Sequence, residues 1–312
     1  MTSDLLAGRT LILAGFNVVN PRSTRSFTVT LRTSYLIGGI TYGIDSRTNT
    51  YRCNSGTLTS ASISLASFKI NALTTYTLTF TISNQLTLGS SIGVMFPSII
   101  TLGTSCSSPN SSLSCSISNS TYANISVSST IAASSIIRIT FSSVKNANQA
   151  QTSTSLSITT YYDSLLDSLV DTLSTGLTIA FVSNELTSNV IVLPSSSITY
   201  ALSDYTFSVK LLDGILSGGY ITITFPSQVT FLTPSISTAN FPISSCVLNI
   251  SATVISINNC FSSDLALLGI SFTLSGFRNP SSFQPTTSFS INTFGPIGRI
   301  NFITSGLIVT MT

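Results

Sequence analysis

The residues with the most defined chemistry in this sequence are four cysteines that recur at matching places. Cys106 and Cys115 follow Phe96-Pro97-Ser98, and a second Phe-Pro-Ser at residues 225–227 is followed by Cys246 and Cys260. Because the pairing recurs by position, we predict the disulfides Cys106–Cys115 and Cys246–Cys260 and an oxidising compartment. The alternative is four buried free thiols. For Cys53 two states stay open, a free thiol or a bond to another chain.

Four asparagines stand in the Asn-x-Ser/Thr pattern that accepts N-linked glycans. One lies between the cysteines of the first pair, two follow that pair and one lies in the second repeat: Asn110, Asn119, Asn124 and Asn249. Such sequons arise by chance in a Ser/Thr-rich chain, but three so close together favour glycosylation. We expect N-linked glycans, and the density of hydroxyl side chains suggests O-linked glycans without fixing their sites.

A third group of chemically capable residues is acidic. Asp163, Asp167 and Asp171 recur every fourth residue within residues 161–175, whose leucines have helical spacing. One interpretation is a calcium site. We favour the other, one to two turns of amphipathic helix or a loop with a solvated acidic face, because such carboxylates spread along a helix and do not converge on an ion.

The chemistry of most enzymes is missing. There is no histidine, only nine residues are Asp or Glu, and no phosphate-binding glycine motif occurs. A Ser-Lys catalyst would need Lys69, Lys145 or Lys210, and nothing in the sequence places them near a nucleophile. We therefore expect no enzyme activity, no cofactor and no metal.

Composition points to an extracellular protein with packed cores. Hydrophobic residues make up 43% and charged residues only 7%. Ser and Thr supply about a third of the chain, so the polar faces carry hydroxyls in place of charges. The net charge of +3 is scattered, which argues against nucleic acid, and no apolar run reaches the ~20 residues of a membrane-spanning helix. The first residues lack the pattern of a secretory signal.

Alternation of apolar and hydroxyl residues dominates and predicts antiparallel strands with one buried face. Clear cases are residues 27–31, 77–82, 137–141 and 221–225. Seven or eight such runs per repeat predict an all-β fold of tandem immunoglobulin-like (Ig-like) antiparallel β-sandwiches. Tryptophan is absent, so the prediction is an Ig-like sandwich and not an antibody domain.

Two repeated motifs set the predicted domain boundaries. The interval from Tyr76 to Tyr205 equals that from Phe96 to Phe225. An Asn-Pro-like turn followed by a strand occurs three times, at residues 16–29, 144–158 and 277–291, and its first copy precedes any copy of the other motif. We therefore predict a partial sandwich at 1–55, the back half of a repeat, and sandwiches at 56–192 and 193–312. The last residues resemble residues 189–192, so we expect them to open a further repeat.

Taken together, the Phe-Pro-Ser strand, the following cysteine pair, the Asn-Pro turn and the Ser-Phe-x-Ile strand resemble tandem Ig-like repeats of protist surface proteins. The closest type is Ser/Thr-rich and lightly charged, as in ciliates. The resemblance implies a secreted, glycosylated structural protein of a coat, fibril or filament. It carries over no catalytic residue.

The resulting hypothesis is a structural subunit of an extracellular glycosylated filament or surface coat. Its N-terminal half sandwich, with strands near residues 11–17, 27–31 and 40–44, would be completed head-to-tail by a segment near residues 300–310 of another copy. The alternative is a ligand-binding cell-surface adhesin or receptor fragment that uses the loops at residues 102–119 and 233–246. A third possibility is a spacer within a longer polypeptide.

Overall fold

The computed structural model describes residue 12 and residues 19–187, 190–266 and 269–312. Within these ranges the regular secondary structure consists of β-strands, arranged as one hairpin and four larger sheets. The predicted all-β fold of Ig-like sandwiches is confirmed. The expected strand near residues 11–17 lies outside the described residues.

The N-terminal hairpin consists of β1 (Phe27–Ile37) and β2 (Ile40–Tyr51). Gly38 and Gly39 connect the two strands with φ values of 58° and 84°. Positive φ at both central residues is the geometry of a two-residue hairpin turn whose twist matches that of the strands, and glycine adopts it without steric cost.

The first sandwich packs a four-stranded sheet on a six-stranded sheet. The smaller sheet has the order β4-β5-β10-β7 and the larger the order β3-β12-β11-β6-β9-β8. The strands are β3 (Gly56–Thr57), β4 (Thr59–Leu65), β5 (Leu73–Thr81), β6 (Ser91–Met95), β7 (Ser105–Ser107), β8 (Leu113–Asn119), β9 (Tyr122–Val127), β10 (Ile136–Lys145), β11 (Ser157–Tyr161) and β12 (Leu169–Leu173).

The second sandwich repeats this arrangement strand for strand. Its sheets have the orders β14-β15-β20-β17 and β13-β22-β21-β16-β19-β18. The strands are β13 (Asn184–Glu185), β14 (Val190–Pro194), β15 (Leu202–Lys210), β16 (Tyr220–Thr224), β17 (Thr230–Ala239), β18 (Val247–Ser251), β19 (Val254–Asn258), β20 (Gly269–Arg278), β21 (Phe289–Phe294) and β22 (Arg299–Leu307).

Each sandwich departs from a purely antiparallel sheet where the chain enters it. The two-residue strand β3 pairs in parallel with β12, and β13 pairs in parallel with β22. The chain then crosses to the other sheet, where β4 and β14 pair antiparallel with β5 and β15. One entering segment therefore contributes to both layers of its sandwich.

Period-2 alternation accounts for the strands and the cores. In β5, Tyr76, Leu78 and Phe80 are buried while the intervening threonines are more exposed. In β16, Ile221 and Ile223 are buried in the same way. Threonine suits the outer face because its branched side chain favours strands and its hydroxyl tolerates water.

The recurring tyrosine and Asn-Pro motifs meet in the core as a hydrogen-bonded clamp. The Tyr76 hydroxyl donates to Asn146 Oδ1 at 2.7 Å, and the Tyr205 hydroxyl donates to Asn279 Oδ1 at 2.8 Å. The amide of Asn146 also donates to the backbone carbonyls of Ser67 and Lys69. Burial raises the pKa of Tyr205 from 10.0 to about 12 and also raises the pKa of Tyr76, so both hydroxyls stay protonated as donors.

For residues 161–175 the helical alternative is wrong, whereas the loop alternative holds for residues 162–168, which carry Asp163 and the exposed Asp167. Residues 162–168 form the connection between β11 and β12, and Asp171 lies on β12. The Asp171 side chain is fully buried and accepts hydrogen bonds from the backbone amides of Ser83 and Asn84 and from the side-chain amide of Asn84. The helical spacing of the leucines did not reflect a buried helix face, because Leu165 lies in the turn between two strands and is exposed.

The expectation that the last residues open a further repeat is also wrong. β22 pairs antiparallel with β21 inside the second sandwich. Beyond it, Val309 and Met311 are buried in that core, and the Thr312 amide donates to the Ser197 carbonyl at 2.7 Å. Residues 299–312 therefore complete their own sandwich.

Candidate interaction surfaces

The predicted disulfides occupy the edges of the sandwiches. A bond joins Cys106 on β7 to Cys115 on β8, with their Cα atoms 5.6 Å apart, and so links the two sheets of the first sandwich. A second bond joins Cys246 to Cys260, with Cα atoms 4.6 Å apart, and closes the open end of the β18–β19 hairpin. Cys53 is half-buried and forms no disulfide among the described residues.

Three of the four sequon asparagines lie on the outward side of β8–β9 or of its counterpart β18–β19. Asn119 faces Tyr122 across this pair of strands, and Asn124 lies on β9 opposite Ser116. In the second sandwich, Asn249 lies opposite Ser256 in the equivalent pair of strands. Asn110 is in the turn before β8, where its Oδ1 accepts the amide of Ser112. Glycosylation of these residues stays a prediction.

The hairpin presents an apolar face to the surroundings. Because side chains alternate along a strand, the odd-numbered residues of β1 share one side, and all but Thr33 are apolar. Tyr51, Tyr42 and Ile40 lie opposite three of them on β2, and the polar residues Asn49, Arg47 and Asp45 lie opposite Val29, Leu31 and Thr33. We define the hairpin's apolar face as Phe27, Val29, Leu31, Tyr35, Ile37, Ile40, Tyr42 and Tyr51. Apart from half-buried Phe27, all of these are exposed.

This face is uncovered within the part of the chain that the structure describes. β1 and β2 form a two-stranded sheet on their own, whereas every other strand belongs to a sheet of four or six. Leu31 is 53% exposed and Tyr35 58% exposed. A two-stranded hairpin is marginally stable alone, so the face calls for a partner surface.

The segment before the hairpin is anchored on the first sandwich. The Thr24 amide donates to the Leu169 carbonyl at 2.8 Å, and Thr24 is buried. Arg25 forms an ion pair with Asp167 at 3.3 Å, and the Arg52 guanidinium donates to the Thr24 carbonyl. Hydrogen bonding from Ser168 is the largest influence that lowers the pKa of Asp167.

The two complete sandwiches meet through a junction of specific polar contacts. The Asn71 side-chain amide donates to Asp213 Oδ1 across the junction at 2.9 Å, and within the second sandwich the Asn184 side-chain amide donates to the other carboxylate oxygen. Gln149 Oε1 accepts the amides of Ile297 and Gly298, both at 3.0 Å. A Cβ on Gly298 would lie 1.9 Å from the Ala150 carbonyl oxygen, so only glycine permits this approach.

The hairpin segment attaches to the first sandwich as the first sandwich attaches to the second. The Ala150 amide donates to the Arg299 carbonyl at 2.9 Å, which matches the bond from Thr24 to Leu169. Leu169 and Arg299 begin the equivalent strands β12 and β22. The hairpin therefore holds the position that β11–β12 and β21–β22 hold in the complete sandwiches.

We call the place where the chain enters each sandwich, beside β12 or β22, its entry site. The two entry sites use equivalent positions, but the aspartate and the asparagine are exchanged between them. In the first sandwich Asn84 follows β5 and donates to Asp171 on β12 at 2.6 Å. In the second, Asp213 follows β15, and the Asn301 side-chain amide on β22 donates to the Asp213 carbonyl at 2.8 Å. The Asp213 carboxylate itself accepts from Asn71 and Asn184, so in the second sandwich the carboxamide of Asn301 contacts the backbone of the aspartate and not its side chain.

The loops proposed for ligand binding are largely strands. Residues 102–119 include β7 and β8, and residues 233–246 include much of β17. Among the described residues, no three or more His, Cys, Asp or Glu side chains are grouped to hold a metal ion. The carboxylates of Asp163, Asp167 and Asp171 instead bond to Leu165, Arg25 and Asn84, respectively.

The structure describes no helix with the length and apolar character needed to span a lipid bilayer. This finding concerns helices in the described ranges only.

Comparison with known proteins gives similarity in structure only. No family model matches the sequence, and no curated protein matches it. The collagen adhesin CNA from S. aureus aligns over 83% of this chain and 96% of its own at 10% identity, with a TM-score of 0.25. The C-terminal domain of the AgI/II polypeptide BspA from Streptococcus agalactiae covers 79% and 95% at 8% identity, with a TM-score of 0.32.

A type II cohesin dyad from the scaffoldin ScaA of Acetivibrio cellulolyticus covers 83% of this chain and 99% of its own. Its identity to this chain is 12% and its TM-score is 0.28. At TM-scores this low, the similarities carry no argument about ligand, partner or activity.

Proposed function

We propose that this chain is a glycosylated structural component of an extracellular filament or surface coat, of the tandem Ig-like type that protist surface proteins have. Two sandwiches joined by a specific junction supply a rod. The hairpin supplies the assembly surface, and another copy of the chain covers it. The uncovered apolar face of the hairpin is the observation that carries the proposal.

The surroundings of the disulfides and sequons support an extracellular location. Disulfides persist in oxidising compartments, and the sequon asparagines on β8–β9 and β18–β19 lie on outer faces. With only 7% charged residues, the surface depends on hydroxyls, and glycans would add the solvation that charges usually provide.

The energetics favour a covered hairpin. Burying an apolar side chain contributes about 1.5–3 kcal/mol, and the hairpin's apolar face offers seven exposed ones. Before the costs of association and of ordering are subtracted, covering most of them gives on the order of 10 kcal/mol. We propose that the hairpin is covered by a different part of another copy, which makes the contact heterologous and extends it into a fibre, whereas two hairpins packed on each other would close as a dimer.

The route of assembly differs from simple strand donation. Residues 299–307 form β22 and are paired and partly buried in their own sandwich, so donating them would open that sandwich. Removing residues 300–312 would therefore unfold the second sandwich as well as change assembly. The covering surface must come from faces that remain after both sandwiches have formed.

The test uses the full chain, secreted from eukaryotic cells and studied by analytical ultracentrifugation and electron microscopy. We expect concentration-dependent assembly into regular fibres. The double substitution Leu31→Ser with Tyr35→Ser should keep the protein monomeric, because it removes two central members of the hairpin's apolar face.

The matched control is Leu36→Ser. Leu36 is also on β1 and 65% exposed, but its even position places it on the opposite side of the hairpin. Leu36→Ser should assemble like the unchanged chain. If the unchanged chain stays monomeric at high concentration, or if both variants assemble normally, the filament proposal is wrong.

A cell-surface adhesin is the second candidate. The pairing of β22 with β21 inside its own sandwich favours it, because β22 is then not available for donation to another copy. If no strand can be donated, the hairpin's apolar face is free to bind another protein on a different cell or matrix. A monomeric chain that binds a defined matrix protein through Leu31 and Tyr35, and forms no fibres, would support this function over the first.

A further inference from the structure

We propose that Asn124 carries an N-linked glycan whose first N-acetylglucosamine packs against the ring of Tyr122. The sugar would then form part of the outer surface of the first sandwich and stabilise it. This inference rests on the extracellular, glycosylated character proposed above, and it names one site and one contact.

Strand geometry places the two side chains together. Tyr122 and Asn124 are two residues apart on β9, so both point to the same, outward side of the six-stranded sheet. The intervening Ala123 and the following Ile125 are fully buried in the core. A sugar attached to Asn124 therefore starts beside the Tyr122 ring.

Gly93 makes room for the aromatic ring. Gly93 pairs with Asn124 across β6 and β9. A Cβ at Gly93 would lie 2.5 Å from the Tyr122 hydroxyl oxygen and 3.2 Å from ring carbon Cε2. The ring thus leans over the glycine backbone next to Asn124 and forms a platform on an otherwise hydroxyl-rich face.

The Asn124 amide is incompletely satisfied by the protein. Its Oδ1 is buried and has no hydrogen-bond partner among the described residues. Buried acceptors without a partner are uncommon and call for an explanation.

The modification itself requires a lipid-linked oligosaccharide diphosphate. The Asn124 side-chain nitrogen forms a bond to C1 of the first sugar and loses a proton, while the C1–O bond to the diphosphate breaks and the lipid diphosphate leaves. Ser126 supplies the hydroxyl of the sequon. The C–H groups of the pyranose ring are positively polarised and pack favourably on the negative face of an aromatic ring.

The second sandwich provides a natural comparison. The backbone bond from Phe96 to Thr121 matches that from Phe225 to Thr253, so Val254 holds the place of Tyr122. Its sequon residue Asn249 is on the equivalent pair of strands, opposite Ser256. A glycan at Asn249 therefore has no tyrosine platform on its own sandwich at that position.

The experiment uses the full chain secreted from eukaryotic cells, with Asn110, Asn119 and Asn249 changed to Gln so that only Asn124 is available. Glycopeptide mass spectrometry measures occupancy. An endoglycosidase then trims the glycan to one N-acetylglucosamine, and thermal unfolding is compared with that of the same chain carrying Asn124→Gln. We expect the single sugar to raise the midpoint by about 2–4 °C.

A double-mutant cycle isolates the contact from any general effect of the sugar or of the tyrosine. Tyr122→Thr should abolish the difference between the single-sugar and the Asn124→Gln proteins, and Tyr122→Phe should retain it. In the matched chain, only Asn249 is available for glycosylation. Its thermal midpoint with one sugar should be close to that of the same chain carrying Asn249→Gln.

An unoccupied Asn124, or a stabilisation that persists with Tyr122→Thr, would overturn the inference. These outcomes are separate from the fate of the proposed function, because assembly is read by ultracentrifugation of the hairpin variants. If Asn124 is glycosylated but the stabilisation does not depend on Tyr122, only this inference is wrong. If the unchanged chain forms no fibres, only the filament proposal is wrong.

Discussion

At the scale of single residues, the most informative arrangement is the clamp between a core tyrosine and the asparagine of the Asn-Pro turn. The sequence shows both as repeated residues, and their repetition set the predicted domain boundaries without revealing that the two residues meet. They lie 70 positions apart in one sandwich and 74 in the other, so only tertiary structure brings them together. The asparagine is thus a structural residue whose amide also fixes the loop at the end of the sandwich.

Replacing Tyr205 by Phe should destabilise the second sandwich. The substitution keeps the ring packed against Phe225, Phe277 and Phe289 but leaves Asn279 Oδ1 without its donor in a buried site. We expect the free energy of unfolding to fall by about 1–3 kcal/mol. Urea unfolding of the full chain measures this loss.

Tyr220→Phe is the matched control, because Tyr220 stacks on Phe294 outside the fully buried core. That variant should unfold within about 0.5 kcal/mol of the unchanged chain. Equal stability of the Tyr205 and Tyr220 variants would show that the clamp contributes nothing.

Residue patterns also predicted candidate modification sites but not their surroundings. The sequons are short local motifs and were found from sequence. The placement of Tyr122 beside Asn124, over Gly93, depends on the register of β6 against β9. No spacing rule in the sequence gives that register.

At the scale of elements, alternation predicted strands well wherever threonine alternates with large apolar residues, as in β5, β10 and β16. Helical leucine spacing was misleading at residues 161–175, where the structure has a turn followed by β12. Asp171 is buried there because Ser83 and Asn84, distant in sequence, supply its hydrogen-bond donors. Local pattern cannot report such a partner.

The Cys106–Cys115 bond should stabilise the first sandwich by linking edge strands of its two sheets. Changing both cysteines to Ser should lower its free energy of unfolding by about 2–3 kcal/mol, the value that chain entropy gives for a short loop. Proteolysis coupled to mass spectrometry should find new cleavage in β7 or β8.

Cys53→Ser is a control for the loss of a thiol without the loss of a bridge, since Cys53 forms no disulfide in the described structure. It should leave unfolding unchanged. A double variant as stable as the Cys53 variant would contradict a stabilising role for the bridge.

At the scale of the whole molecule, the junction between the sandwiches determines how rigid the rod is. Asp213 receives donors from Asn71 in the first sandwich and from Asn184 on β13 of the second. Asp213→Ala should remove both contacts and widen the range of angles between the sandwiches. Small-angle scattering of the full chain should show a broader distribution of interatomic distances.

Glu185→Ala is the control for that measurement, because Glu185 lies in the same junction with an exposed side chain. Its scattering should match that of the unchanged chain. If Asp213→Ala leaves the distance distribution unaltered, apolar packing alone holds the sandwiches in place.

Repetition was visible in the sequence, but the way consecutive units connect was not. The C-terminal residues were expected to begin another unit because they share residue types with residues 189–192. They instead complete β22 and its continuation, where Leu307, Val309 and Met311 are buried. The apolar composition of this segment predicts that it is buried. Which sandwich buries it depends on pairing between strands that are distant in sequence.

The exchange of aspartate and asparagine between the two entry sites limits which strands can be recombined between the two sandwiches. Moving β12 with its Asp171 into the second unit would place a carboxylate against the Asp213 carbonyl oxygen to which Asn301 now donates, and moving β22 with its Asn301 into the first would set two carboxamides together. Recombination between these positions within one unit therefore loses hydrogen bonds that exchange of the intact pair keeps. Duplication of this gene segment would preserve the match only when both halves of a unit are inherited together.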